Sequence, residues 1–241
     1  MLISQPLFEC VFVKRYKRFF ADVEMPDGSI ITAHCPNSGS MKGCNEPGSK
    51  AWISDSMNPK RKLRHTLEIM EIDGVRLCVN TQRPNGLVEE AIAEDRISEL
   101  SGYETIRREV KYGSENSRID LLLERENERC YVEVKNVTLG AGDGLARFPD
   151  SVTTRGTKHL RELMSVVESG DRAVLMFCAS RDDTQVIEPA DEIDPVYGQT
   201  LREASQKGVE ILAYGLDIEP PTLRLTRSVE VRLPPLSAPT G

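Results

Sequence analysis

The chain opens with short apolar/polar alternations separated by turn residues. Phe8 to Val13, Arg18 to Met25, Ser29 to Ala33, Ala51 to Ser54, Thr66 to Ile72 and Val75 to Asn80 read as strands, with Pro26-Asp27-Gly28 and Asp73-Gly74 as turns. Many short strands at this spacing predict a small β-barrel or sandwich. After Pro84-Asn85-Gly86 the period changes. Leu87, Val88, Ala91 and Ile92 fall on one helical stripe, and Ser101-Gly102 reads as the stop of that helix. A domain boundary near residue 85 follows, dividing the chain into residues 1–85 and 86–241.

Beyond the boundary, extended pieces at Glu104 to Tyr112, Ser117 to Glu124 and Cys130 to Thr138 precede a helix over Thr154 to Ser169. That helix carries Leu160, Leu163, Met164 and Val167 on one face, with Gly170 where a C-terminal cap belongs. Ala173 to Ala179 is an unbroken apolar run, the pattern of a strand covered on both faces. A helix over Pro195 to Lys207, a strand over Val209 to Tyr214 and an extended piece over Thr222 to Leu233 follow, and the Pro-rich end from Pro234 reads as frayed. This order predicts an α/β domain, a mixed sheet flanked by helices.

Composition narrows the classes. With 39% hydrophobic and 29% charged positions in 241 residues, the chain is globular rather than disordered. No apolar run approaches the roughly 20 residues that span a bilayer. The charges Lys14, Arg15, Lys17 and Arg18 follow the first apolar stretch instead of preceding it, unlike a secretory signal. Six scattered cysteines and no CxxC pair fit reduced thiols, and the expected compartment is the cytoplasm. The formal charge of −7 argues against bulk coating of nucleic acid. The charge is divided unevenly: residues 1–85 hold 12 Lys/Arg against 9 Asp/Glu (+3), and residues 86–241 hold 19 against 29 (−10).

The stretch with the most chemistry is Ser117-Arg118-Ile119-Asp120-Leu121-Leu122-Leu123-Glu124 followed by Cys130-Tyr131-Val132-Glu133-Val134-Lys135. A hairpin turning at Glu126-Asn127 sets Ile119 against Val134, Leu121 against Val132 and Leu123 against Cys130, all on one side. Arg118, Asp120, Glu133 and Lys135 then share the other side, Asp120 across from Glu133. Like charges so opposed repel, and a divalent cation between them removes the repulsion; Mg²⁺, or Mn²⁺ in its place, suits such hard oxygen ligands. A slide of two residues, or the diagonals Asp120 to Lys135 and Arg118 to Glu133, would neutralise the face without metal. Both readings stay open on pattern alone.

Asp120, twelve intervening residues, then Glu133-Val134-Lys135 on the next strand resembles the core of the PD-(D/E)xK nuclease superfamily. Over residues 15 to 214 the chain is similar to the sugar fermentation stimulation protein (SfsA) family. Segments that carry the likeness include Arg15-Tyr16-Lys17-Arg18-Phe19, His34-Cys35-Pro36-Asn37, Glu109-Val110-Lys111-Tyr112-Gly113 and Lys158-His159-Leu160-Arg161-Glu162-Leu163-Met164. The resemblance implies an N-terminal OB-like β-barrel, a C-terminal nuclease-like α/β domain, binding to DNA and a link to regulation of sugar catabolism. Ile119 stands where the nuclease motif has proline. By the same resemblance Asp120, Glu133 and the Val134 carbonyl would hold Mg²⁺, Lys135 would serve the attacking water, and Glu90, with Glu89 second, would add a helical carboxylate. Arg118, Lys158 and Arg161 are candidate phosphate contacts, weighed against the plain solvent face of an amphipathic helix.

In the first half, Arg15, Lys17 and Arg18 interleave with Tyr16, Phe19 and Phe20, the composition of a single-strand platform. Lys60, Arg61, Lys62 and Arg64 form a denser basic run in a loop, suited to sequence-independent phosphate contacts. His34, Cys35 and Cys44 lack a fourth ligand, so packing is the better account of them. Trp52 is expected in the barrel core. The leading reading is a DNA-binding protein, single- or double-stranded unresolved, with a possible Mg²⁺-dependent phosphodiesterase site. Its alternative is a non-catalytic DNA-binding regulator of sugar-catabolic genes. An RNA-binding or nucleotide-binding accessory protein is the third.

Overall fold

The computed structural model describes residues 1–113 and 117–235. Its first part holds β1 (Leu7–Tyr16), β2 (Phe20–Glu24), β3 (Ile30–His34), β4 (Lys50–Asp55), β5 (His65–Ile72) and β6 (Val75–Cys78). They form one sheet in the order β3-β2-β1-β4-β5-β6, and a further β3–β5 pairing at His34 and Thr66 closes five of them into a ring. Alternation fills the ring with Cys10, Phe12, Ala21, Val23, Ala33, Ile53 and Leu67. The second strand starts later than its pattern suggested, because Lys17 and Arg18 take left-handed φ of 48° and 64° in the turn before it.

Trp52 is not inside the ring. Its neighbours Ala51 and Ile53 point inward, so Trp52 points out, into a core it shares with Ile3, Ile69, Cys78 and the apolar face of α1 (Pro84–Ala93). That helix ends at Ala93 rather than at Ser101. Asp95 takes φ 53°, and a single 3₁₀ turn at Ser98–Leu100 carries the chain on with Ile97 and Leu100 buried. The boundary expected near residue 85 thus falls in the first turn of α1.

The second part continues with β7 (Thr105–Tyr112), β8 (Ser117–Arg125), β9 (Glu128–Val137), β10 (Leu139–Gly142), β11 (Leu145–Phe148) and α2 (Thr154–Glu168). After these come β12 (Arg172–Ala179), β13 (Val186–Pro189), α3 (Pro195–Gln206), β14 (Glu210–Glu219), β15 (Thr222–Ser228) and β16 (Glu230–Val231). A mixed sheet runs β15-β14-β12-β9-β8-β7, with β12 parallel to both β9 and β14. Its central position explains the unbroken apolar run of β12. One face of the sheet packs on α1 and the ring, and the other on α2 and α3. Thr153 caps α2 by accepting from the Gly156 amide, and Gly170 at φ 90° ends it as expected.

The small sheet β10-β11-β13-β16 has no counterpart in the sequence pattern. Gly140, Gly142 and Gly144 make its first hairpin look like loop. Residues 1–3 run beside β15, with a bridge between Leu2 and Thr222, instead of joining the ring. Of the Pro-rich end, Pro234 and Pro235 are described, and the rest lies outside the described residues.

Candidate active site

The hairpin forms in the expected register, with Leu121 against Val132 and Leu123 against Cys130. The ladder stops there. On the other side of β8, β7 pairs Arg108 with Leu121 and Val110 with Ile119 but skips Asp120, opposite a Glu109 held at φ 53°. Alternation breaks at this point: Ile119 buries on the α2 side with Leu122, while Leu121, Leu123 and Val134 bury on the α1 side. Ile119 therefore does not face Val134 across a flat ladder. Asp120 sits in the opening instead, its Oδ2 accepting from the Val134 amide at 2.8 Å and its Oδ1 from Asn85 Nδ2 at 2.8 Å. Burial first, and the charge of Glu133 second, raise its carboxyl to about 6.

Glu133 points to the α2 side. Its Oε1 accepts from Lys135 Nζ at 2.7 Å and meets His159 Nδ1, while its buried Oε2 has no partner among the described residues. Arg155 Nε donates to His159 Nε2 at 3.3 Å. In the neutral ring this assigns the proton to Nδ1, so His159 donates to Glu133 and its 3.4 Å approach to Lys135 Nζ is a contact, not a bond. Burial pushes the Glu133 carboxyl up, but His159 and Lys135 outweigh it and hold it below its ordinary value. Tyr112 and Tyr197 lie in the field of Glu133; their hydroxyls, like both oxygens of Glu162, are buried without a partner among the described residues. Among the described residues no three of His, Cys, Asp and Glu converge on one point as a ready-made metal site. The fit to a cation lies in the unpartnered Oε2 of Glu133, whose charge raises the Asp120 carboxyl. Two carboxylates, a main-chain carbonyl and waters are the donor set Mg²⁺ accepts.

Glu90 and Glu89 do not join this site. Glu90 Oε1 binds Arg96 at 3.1 Å and the Met1 amino group at 2.5 Å, while Glu89 pairs with Arg108. The polar group that α1 sends to the acids is Asn85, because the first turn of the helix, not its middle, meets the opened hairpin. Arg118 is exposed, and its guanidinium donates to the Glu109 carbonyl at 3.3 Å, away from Lys135. Arg161 is exposed on α2, and Lys158 is half-buried one residue before His159. His159 itself is buried; the signal that could have found it is its place four residues before Leu163 and seven before Val166 on the buried stripe.

On the ring, the Arg15 guanidinium donates to the carbonyls of Arg18, Asn37 and Gly39, so it braces a loop. Lys17 and Arg18 lie exposed at the β1–β2 turn beside Tyr16, which stacks on Phe20 at 5.3 Å and 13°, and beside a half-exposed Phe19. Lys60, Arg61 and Lys62 are exposed in the β4–β5 loop. Arg64 is not available for phosphate, since both arms of its guanidinium hold buried Asp55 at 2.6 and 2.5 Å. Cys35 and Cys44 are buried free thiols, as the packing account requires.

Two family models tile this architecture: the SfsA N-terminal OB domain matches residues 13–79, and the sugar fermentation stimulation protein RE domain matches residues 82–222. The chain belongs to the sugar fermentation stimulation protein family. A sugar fermentation stimulation protein homolog of Geobacter metallireducens is 55% identical over 97% of this chain and all of its own length. One from Thioalkalivibrio sulfidiphilus is 54% identical over 97% of this chain and 98% of its own. The solved structure of Pyrococcus furiosus SfsA in complex with Ca²⁺ matches with TM-score 0.86 at 29% identity, covering 96% of this chain and 98% of that one. The OB-domain ring followed by a mixed α/β sheet domain, expected from the sequence, is thus the fold of the family.

Proposed function

We propose that this SfsA-family protein is a DNA-binding, divalent-metal-dependent phosphodiesterase acting through Asp120, Glu133 and Lys135. The observation that carries the reading is the unpartnered buried Oε2 of Glu133, set near an Asp120 carboxyl that its charge disfavours as an anion. Asp120, Glu133 Oε2 and the Val134 carbonyl would hold the ion, and the Ca²⁺ complex of the Pyrococcus relative supports an affinity for divalent cations. Magnesium or manganese in that place supplies a water of lowered pKa and offsets charge on the phosphoryl group. Asn85 orients Asp120 through Oδ1. His159 pins Oε1 of Glu133 and so leaves the buried Oε2 free for the ion. Lys135, only 13% exposed at its side chain, offers an ammonium to a water or to the developing phosphoryl charge.

DNA is the proposed partner, gripped by Lys17, Arg18, Lys60, Arg61 and Lys62, with the exposed Tyr16 and Phe19 rings as stacking surfaces. Six buried free cysteines fit a reducing cytoplasm, and among the described residues no helix is long and apolar enough to cross a membrane. Purified protein incubated with single- and double-stranded DNA and RNA, in Mg²⁺, Mn²⁺ or chelator, tests the proposal beside Asp120→Ala and Lys135→Ala. Metal-dependent cleavage abolished in both variants is the expected result. A second reading, a non-catalytic DNA-binding regulator of sugar catabolism, is favoured by the lack of three converging ligands among the described residues. Binding unchanged in chelator with no substrate cut decides for it.

A further inference from the structure

A cavity of about 360 Å³ lies where the ring meets the segment leading into α1. Its floor is built. Glu68, 1% exposed, accepts from Ser54 Oγ at 2.7 Å, from Asn80 Nδ2 at 2.8 Å, and from Arg83 at 3.0 and 2.8 Å. The carboxylate is saturated and its charge cancelled, so it repels no anion. The walls add Gln5, His34, Arg61, Thr66 and Gln82. Among the described residues Arg61 has no acidic partner, and the side-chain amides of Gln5 and Gln82 have no hydrogen bond within the protein. Burial first and the Arg61 charge second lower the His34 pKa, as expected where two basic groups meet without a counter-charge. No Phe, Tyr or Trp lines the cavity, and it is large enough for a small molecule rather than a bare ion.

We propose that this cavity binds a phosphomonoester carried on a hydroxyl-bearing carbon frame, Arg61 facing the phosphate and Gln5, Gln82 and Thr66 facing the hydroxyls. A free sugar phosphate and the phosphorylated end of a nucleic-acid strand share this chemistry. The site needs no metal and does not include Asp120, Glu133 or Lys135, so it stands whether or not the protein cuts DNA.

Calorimetric titration of the full chain in chelator tests it, repeated with Asp120→Asn to keep the result separate from cleavage. Ribose 5-phosphate is expected to bind at least about tenfold tighter than ribose, and Arg61→Gln to weaken that binding about tenfold, while a change of the exposed Lys42 outside the cavity, Lys42→Gln, leaves it unchanged. A 5′-phosphorylated oligonucleotide that outcompetes both ribose 5-phosphate and its 5′-hydroxyl twin assigns the site to strand ends. The reverse order assigns it to free sugar phosphates. Equal binding of ribose and ribose 5-phosphate together with equal binding of the two oligonucleotides overturns the proposal, as does an Arg61→Gln protein indistinguishable from wild type. Inorganic phosphate binding as tightly as ribose 5-phosphate overturns the hydroxyl contacts.

Discussion

Replacing Asp120 by asparagine should make the metal-free protein more stable. The carboxyl rises from an ordinary 3.8 to about 6, because burial and the charge of Glu133 both disfavour the anion. The folded state therefore holds this proton more tightly than the unfolded chain, and stability falls as pH rises through the window between those two values. Above that window the cost is about 3 kcal/mol, from roughly two pKa units at about 1.4 kcal/mol each; below 3.8 it vanishes. The amide of Asp120→Asn keeps the Val134 acceptor, and Asn85 can turn its oxygen to the new NH₂. In chelator the variant should gain about 2–3 kcal/mol at pH 8, about 4–12 °C for a chain of this size, and well under 1 kcal/mol at pH 4. Magnesium at about ten times Kd should then add about 1.4 kcal/mol to wild type and nothing to the variant. Urea and thermal denaturation at both pH values, with and without metal, measure all of this. If the variant is the less stable protein at pH 8 in chelator by a margin that pH does not change, Asp120 is a favourable structural anion and needs no captured cation.

His159→Ala, by freeing Glu133 Oε1, should lower metal affinity and cleavage about 10–100-fold, read by metal titration and by product formation. Glu90→Gln should leave cleavage unchanged and lower the melting temperature slightly, since its partners are Arg96 and the Met1 amino group; abolished cleavage would return Glu90 to the site. The double change Lys60→Gln, Lys62→Gln should flatten the log–log salt dependence of DNA binding by about 0.9 for each phosphate no longer neutralised, whereas Arg64→Gln should lower stability and leave the slope alone. Trp52→Ala should cost about 3–5 kcal/mol and weaken both parts of the chain together, visible as coincident denaturation followed in the ring and in the mixed sheet.

The strands of the ring and of the six-stranded mixed sheet, the three helices and the register of the hairpin were legible because burial on a sheet face or helix stripe writes itself as a period in the sequence. Leu121, Leu123, Cys130 and Val132 behave as that rule says. The site was legible as a set of acids but not as a geometry. Asp120 leaves the ladder at the one position β7 skips, and no period records an opened strand pair. For the same reason Glu90 looked well placed on its helix while Asn85, a turn earlier and next to a proline, looked like punctuation. Trp52 was misplaced because a strand buried on both faces gives no sign of which face meets the second domain. Glu162 carries no signal at all: on a helix of mixed charges its burial comes from the elements packed over it.

The core around Trp52 joins the ring to the mixed sheet without a flexible tether between them. The basic loop and the acids consequently keep a constant separation, which makes the molecule a ruler. Under the proposed function, a strand seated on the loop would reach the acids at a set number of nucleotides, so the products of any cut should share one length measured from the held end.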